Sequence, residues 1–161
     1  MDGGYSTRGK EVTFIRKTLE VLDQYEKFMP NFEPDERHEL TLDLNCLLGL
    51  IVIPQQSMLK GYTIVIENQG LWGIDLSQIR FYPSLKCTKH IKNSANEIAC
   101  HLKNSLTHNK FEILCEDGEN VTHVLFKDFA RGKKPVQTFE YKFAVVDLLK
   151  FVKKYYEHVK I

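Results

Sequence analysis

The chain has 161 residues, of which 43% are hydrophobic and 27% are charged, and its formal net charge is +1. This length predicts one domain over residues 1–161 with a full hydrophobic core, and the composition is typical of a soluble globular protein. The net charge alone does not indicate a nucleic-acid-binding protein. Residues 1–85 carry a net −4, however, and residues 86–161 carry +5. The second half is the better place for an anionic ligand, although uneven solvation of the surface explains the pattern equally well.

Cysteine usage and hydropathy predict a cytoplasmic protein. The four cysteines form no CxxC pair and show neither metal-ligand nor disulfide spacing, which predicts reduced thiols. The polar opening MDGGYSTRGKEV does not resemble a signal peptide. The most apolar run, Leu40 to Pro54, is too short to cross a bilayer and contains Asp43 and Asn45. We interpret it as part of a buried helix and expect no membrane association.

Hydrophobic spacing predicts two helices in the first third of the chain. The first runs from about Thr7 to Phe28, because apolar residues recur every three or four positions. The second runs from about Asp35 to Ile53 and ends before Pro54. Residues 55–85 are less informative: YTIVIE is a possible short strand, and the rest predicts loops with a short helical piece. Trp72 is expected to be a packing residue in this segment.

The second half predicts a helix, a strand meander and a final helix. A third helix covers about Thr88 to His108, with an apolar face of Ile91, Ala95, Ile98, Leu102 and Leu106, and a left-handed Asn109 is expected to cap it. KFEILCE and VTHVLFKDF form a predicted hairpin, and PVQTFEYKF is a possible third strand. The last helix covers about Val145 to His158. The predicted fold is mainly α, a helical bundle with a small antiparallel hairpin or meander before the C-terminal helix.

The end of the third helix carries the candidate chemistry, in the segment KNSLTH. On a helical projection, His90, Glu97, His101, Asn104 and His108 form one polar stripe. Lys103 lies about 140° from His108, at the opposite edge of the apolar face. The two side chains therefore meet at one ligand only if the helix frays near His108 or if a second copy packs alongside, as in a two-fold symmetric dimer.

These residue types suit phosphodiester chemistry without a metal. Histidine transfers protons near neutral pH, lysine neutralises a phosphate and its transition state, and asparagine orients either group. Cleavage of RNA fits best, because the ribose 2′-hydroxyl is its own nucleophile and the protein manages only protons and charge. Judged by residue types alone, a solvated helix end is the more common explanation of such a segment.

The segment HLKNSLTHNKFEI resembles the signature of the HEPN (higher eukaryote and prokaryote nucleotide-binding) domain family. That signature has an arginine, a polar residue that is often asparagine, a few residues, and a histidine at a helix end. Lys103, Asn104 and His108 occupy those places. FIRKTLEVLDQYEK and ELTLDLNCLLGLIVIPQQ resemble early helices of a prokaryotic branch linked to plasmid and phage conflict. THNKFEILCEDGENVTHVLFKD and VVDLLKFVKKY resemble its strands and closing helix, so the resemblance covers most of the chain except residues 55–85.

The resemblance implies a helical homodimer whose active site lies where two such helices meet, and no cofactor or metal. It implies a metal-independent endoribonuclease of toxin–antitoxin or phage-defence systems, acting on RNA through Lys103, Asn104 and His108, with an antitoxin or other protein as a possible partner. Lys103 departs from the usual arginine, and lysine lacks the planar fork that binds phosphate by two hydrogen bonds. A catalytically degenerate HEPN module that binds RNA, a nucleotide or a protein is therefore an alternative, as is a structural helical protein with an accidental motif.

Other polar residues have weaker functional interpretations. Glu97 and His101 have a spacing that can chelate a metal, but a surface pair is far more common and no third ligand is evident. If a dimer forms on this face, Glu97 and His101 could instead line the cleft beside the motif. A basic segment could contact the RNA backbone, although solvation is the commoner role of such residues; its members are Lys127, Arg131, Lys133 and Lys134.

Overall fold

A computed structural model describes residues 7–31, 45–46, 50–51, 63–83, 91–115, 121–130, 132 and 134–158. The helices in chain order are α1 (Thr7–Phe28), α2 (Gln69–Trp72), α3 (Ala95–Thr107) and α4 (Val145–His158), and α1 continues into a 3-10 turn at Met29–Asn31. The strands are β1 (Arg80–Phe81), β2 (Phe111–Leu114), β3 (His123–Ala130) and β4 (Val136–Ala144). No described helix is long and apolar enough to span a membrane.

The strands form one four-stranded antiparallel sheet in the order β1-β4-β3-β2. The predicted mainly α class is therefore wrong, since helices dominate but share the fold with a full sheet. Local pattern correctly predicted the hairpin of β2 and β3 and the strand β4. It did not predict β1, whose Arg80 pairs with Glu140. A strand of two residues carries no periodic signal, and its partner lies far along the chain.

The two faces of the sheet differ in polarity. The inner face carries Val124 and Phe126 from β3 beside Phe139 and Phe143 from β4, and all four are buried. The outer face carries a row of alternating charges that crosses all four strands. Its members are Arg80, Glu140, Lys127 and Glu112. Arg80 bonds Glu140 at 3.2 Å and Lys127 bonds Glu112 at 2.6 Å, which leaves the outer face polar and balanced.

The predicted bounds of α1 and α4 are confirmed. Ile15 and Leu22 of α1 are buried, as the predicted apolar stripe requires. Lys153 of α4 bonds Asp23 and Glu26 of α1 at 3.2 and 2.8 Å, so ion pairs join these helices near their exposed edges. Most of the predicted second helix lies outside the described residues. Within it, residues 45–46 are α-helical, and residues 50–51 have π-helical backbone and are buried.

The third helix begins later than the sequence predicted. Ser94 is its N-cap, with extended backbone and a side chain that accepts a hydrogen bond from the Glu97 N–H. Ile91, predicted on the apolar face, precedes the helix and is 53% exposed. The part of the predicted helix before Ile91 lies outside the described residues. The apolar spacing extends to Ile91, upstream of the Ser94 cap, and the predicted start of the helix was therefore too early.

Residues 63–83 contact three later elements: the start of α3, strand β4 and helix α4. YTIVIE is not a regular strand in the described part: Val65 makes one isolated bridge, to Ser94. The predicted helical piece exists as α2, and Trp72 is buried, with its ring centroid 5.7 Å from that of Phe151. Gly73 ends α2 at a positive φ of 60°, and a Cβ there would lie 2.6 Å from the Asp147 carbonyl oxygen.

Candidate functional site

The motif segment lies on the last two turns of α3 and on the residue that ends it. Lys103 and Asn104 are half-buried within the helix, whereas His108 is the C-cap and its side chain is exposed. The His108 backbone N–H donates to the Asn104 carbonyl at 3.0 Å. The helix is thus hydrogen-bonded up to His108, which presents its ring at the end of a formed helix.

The turn after His108 is closed by a Schellman motif. Asn109 takes a left-handed backbone with φ 51°, as predicted. Its N–H donates to the Leu106 carbonyl at 3.2 Å, and the Lys110 N–H donates to the Ser105 carbonyl at 2.7 Å. These bonds satisfy carbonyls that a helix end would otherwise leave open. They fix the direction in which the chain leaves α3 and enters β2.

The buried carboxylate of Asp128 binds two side chains of α3. Asp128, on the inner face of β3, accepts hydrogen bonds on Oδ2 from His101 Nδ1 at 2.8 Å and from Asn104 Nδ2 at 2.9 Å. Its Oδ1 accepts the Phe129 N–H at 2.8 Å. The His101 and Asp128 side chains are only 12% and 8% exposed. We call Asp128, His101 and Asn104 the Asp128 cluster.

The Asp128 cluster favours an ionised carboxylate. Burial raises the pKa of Asp128, but the hydrogen bonds from His101, Asn104 and the Phe129 N–H outweigh burial and hold the pKa below its usual range. An ionised carboxylate only accepts hydrogen bonds, so Nδ1 of His101 carries a hydrogen. The His101 ring stacks on Phe139, with centroids 4.7 Å apart and planes 3° apart. His101 is therefore fixed both by its hydrogen bond and by its ring contact.

Ser105 anchors the same helix to β3 through backbone oxygens. It is fully buried, and its Oγ is 2.8 Å from the His101 carbonyl oxygen and 2.7 Å from the Lys127 carbonyl oxygen. The Lys127 N–H in turn donates to the Lys110 carbonyl at 2.9 Å. The C-terminal half of α3 is therefore held on β3 by backbone, hydroxyl and carboxylate contacts.

Cys100 lies beside the motif but is unsuited to nucleophilic chemistry. Burial raises the pKa of its thiol, and the carboxylates of Asp128 and Glu97 oppose the lowering effect of Lys103. A thiol with a raised pKa stays protonated near neutral pH. The motif itself contributes the Lys103 ammonium, the Asn104 amide and the His108 imidazole to this helix end.

Of the remaining predicted site residues that the structure describes, His101 lies beside the motif, whereas Lys127 and Lys134 do not. Lys127 lies on the outer face of the sheet, opposite to Asp128. Its ammonium donates a hydrogen bond to Glu112, and this bond raises the pKa of Lys127. Lys134 is exposed beyond the end of β3. Arg131 and Lys133 lie outside the described residues. His101 precedes Asn104 by three residues in α3, and both side chains bond Asp128 of β3.

The Glu97 and His101 pair has separate partners. Glu97 accepts the Ile91 N–H at 2.8 Å and so closes the start of α3, while His101 bonds Asp128. Among the residues that the structure describes, no group of three or more His, Cys, Asp or Glu side chains could hold a metal ion.

Sequence reasoning missed Asp128. The strand HVLFKDFA did contain a signal for it. Its inward positions are Val124, Phe126 and Asp128, so a charged residue stands where the alternation predicts an apolar one. A charge at an inward strand position needs partners, and His101 and Asn104 supply them from a helix 24 to 27 residues earlier. The pairing itself depended on how α3 packs on β3.

Comparison with known proteins gives one positive result. No curated protein and no solved structure matches this chain. A family model described as HEPN pEK499 p136 matches residues 4–160, which is nearly the whole chain and includes every element described above. The resemblance read from Lys103, Asn104 and His108 is thereby confirmed at the level of the family: the chain belongs to the HEPN domain family, in the group described as pEK499 p136.

Proposed function

We propose that this protein is a metal-independent endoribonuclease of the HEPN type, with its active site at a dimer interface. Membership of the HEPN family supports a nuclease or RNA-related function, and HEPN domains commonly act as dimers and bind RNA. The proposal also gives the protein a cytoplasmic role in toxin–antitoxin or phage-defence biology, where an antitoxin or another protein would restrain it.

The observation that carries the proposal is the exposed His108 at the end of a helix that backbone hydrogen bonds close. His108 would transfer protons at the ribose 2′-hydroxyl and the leaving oxygen, because imidazole titrates near neutral pH. Lys103 would neutralise the scissile phosphate, since none of the ion pairs within the described part of the chain includes it. Asn104 would orient one of the reacting groups.

The closed helix end also supports a composite site. Lys103 and His108 lie at opposite edges of the apolar face, and fraying of the last turn would be one way to bring them together. The hydrogen bonds of His108, Asn109 and Lys110 keep that turn formed. A second copy related by a two-fold axis is the remaining way, and it would bring Lys103 of one protomer near His108 of the other.

Cleavage of RNA in the presence of EDTA tests the proposal directly. We expect the wild type to cleave a mixed-sequence RNA and His108→Ala to lose at least about a hundredfold in rate, which is the usual contribution of a positioned acid or base. His158→Ala is the matched control, since His158 also lies at the C-terminal end of a helix, α4. Equal cleavage by wild type and His108→Ala would contradict the proposal.

Lys103 favours a second candidate function, a catalytically degenerate HEPN module that binds RNA, a nucleotide or a protein partner. The family signature has arginine where this chain has Lys103, and an ammonium cannot bind a phosphate through two parallel hydrogen bonds. If the wild type is inactive and Lys103→Arg cleaves RNA in EDTA, the protein is such a module. If Lys103→Arg leaves the rate of an active wild type within a fewfold, lysine is a competent substitute and this alternative is wrong.

A further inference from the structure

The Asp128 cluster restricts what Asn104 can bind. One N–H of the Asn104 amide is committed to the carboxylate of Asp128, at 2.9 Å. The carboxylate also fixes the orientation of the amide. The Asn104 nitrogen must face Asp128, because a carboxylate oxygen accepts hydrogen bonds and would repel the amide oxygen. The carbonyl oxygen and the second N–H are left for a ligand, and no described residue hydrogen-bonds to the Asn104 side chain besides Asp128.

The charge of Asp128 decides which kind of ligand fits. A phosphate oxygen bound to the second N–H of Asn104 would lie close to an ionised carboxylate, and the two anions would repel each other in a partly buried site where solvent screens poorly. Lys103, on the other edge of the helix, is the better phosphate contact. A hydroxyl is neutral, and it can donate to the amide oxygen while it accepts from an N–H.

We propose that Asp128 is a positioning residue that holds the Asn104 amide so that it binds the ribose 2′-hydroxyl of the substrate and not a phosphate oxygen. This inference rests on the proposed RNA substrate and assigns to Asn104 the recognition of RNA over DNA. The 2′-hydroxyl is the group that lets a protein make this distinction. It is also the nucleophile in metal-independent cleavage, so the same contact would hold it beside His108.

The test is a binding comparison between a short mixed-sequence RNA and the DNA of the same bases, with deoxyuridine in place of uridine. All proteins carry His108→Ala, so that neither probe is cut. The background protein should prefer RNA by roughly tenfold, the value of about one good hydrogen bond. Asp128→Asn and Asn104→Ala should each abolish that preference. In combination they should do no more than either alone, since both remove the same contact.

Asp128→Asn suits this purpose because it keeps the shape but supplies only one accepting oxygen to the three N–H groups that reach Asp128. The matched control is Ser105→Ala. It removes the hydroxyl that contacts the Lys127 carbonyl of β3 and the His101 carbonyl within α3, without touching Asn104. A merely structural role of Asp128 would make the two variants behave alike, whereas the inference predicts that Ser105→Ala retains the RNA preference.

A measurement on the His108→Ala protein, which keeps Asp128 and leaves the RNA probe uncut, covers the case in which Asp128→Asn does not fold. The side-chain amide protons of Asn104, followed by NMR, should exchange slowly and stay protected when RNA is added. Exchange as fast as that of an exposed asparagine would overturn the inference. So would an RNA preference that survives in both Asp128→Asn and Asn104→Ala, or a preference lost only in Asn104→Ala.

The outcomes separate this inference from the proposed nuclease function. If the wild type cuts no RNA but the pattern of binding preferences holds, the inference stands and the nuclease proposal falls. If the wild type cuts RNA in EDTA but Asp128→Asn still prefers RNA as the background protein does, only the inference is overturned.

Discussion

At the scale of single residues, Asp128 shows how a buried charge is made acceptable. A carboxylate on the inner face of a sheet is costly unless donors surround it, and here His101, Asn104 and the Phe129 N–H all reach it. The network ties two residues of α3 to one residue of β3. Removing either side leaves polar groups buried without partners, which costs more than the bonds themselves contribute.

The lowered pKa of Asp128 makes part of the stability depend on pH. Because the folded pKa lies below the unfolded value of about 3.8, the ionised carboxylate stabilises the fold above that value, and the contribution is lost as the pH falls through the folded pKa. At neutral pH, we expect Asp128→Asn to lower the free energy of unfolding by about 2 kcal/mol. Urea titrations should show this difference shrinking below the unfolded pKa; a difference independent of pH would contradict the assignment.

At the scale of secondary-structure elements, the sequence predicted those features that depend on neighbouring residues and not those that depend on contacts between distant segments. The bounds of α1 and α4 and the pairing of β2 with β3 followed from periodicity and turn residues, which are local. The start of α3 was predicted too early, because the apolar spacing extends to Ile91 while the cap is at Ser94. The strand β1 and the role of Asp128 rest on contacts between distant segments, and a single sequence carries no periodic signal for such contacts.

The end of α3 offers a test of how helix capping supports the site. Asn109 holds a positive φ of 51°, where a Cβ is unfavourable but asparagine is tolerated and glycine is preferred. Asn109→Ala should lower the free energy of unfolding by about 1 kcal/mol and reduce RNA cleavage by displacing His108. Asn109→Gly is the control and should keep both near wild type. Equal effects of alanine and glycine, read from thermal unfolding and cleavage rates, would show that the backbone conformation is not the cause.

At the scale of the whole molecule, a composite site predicts rescue between two inactive variants. If each site takes Lys103 from one protomer and His108 from the other, a mixed dimer of Lys103→Ala with His108→Ala contains one intact site. Random mixing should restore about a quarter of the wild-type rate, since half of the dimers are mixed and each has one of two sites.

The rescue experiment requires unfolding and refolding the two variants together, so that protomers exchange. Each variant refolded alone is the control and should stay inactive. Full inactivity of the mixture, with dimers present by light scattering, would place Lys103 and His108 of a site on the same chain.

The Asp128 cluster also has a consequence for the order in which the protein matures on the ribosome. The motif helix is synthesised complete with Lys103, Asn104 and His108, but Asp128 emerges 24 residues after Asn104 and reaches it only once β3 has packed on α3. Until then Asn104 lacks the hydrogen bond that fixes the orientation of its amide. A nascent or partly folded chain therefore contains the motif without the Asp128 contact, and the site would be completed only when β3 docks on α3. Pulsed hydrogen exchange during refolding reports this order, as protection of α3 that appears together with that of β3.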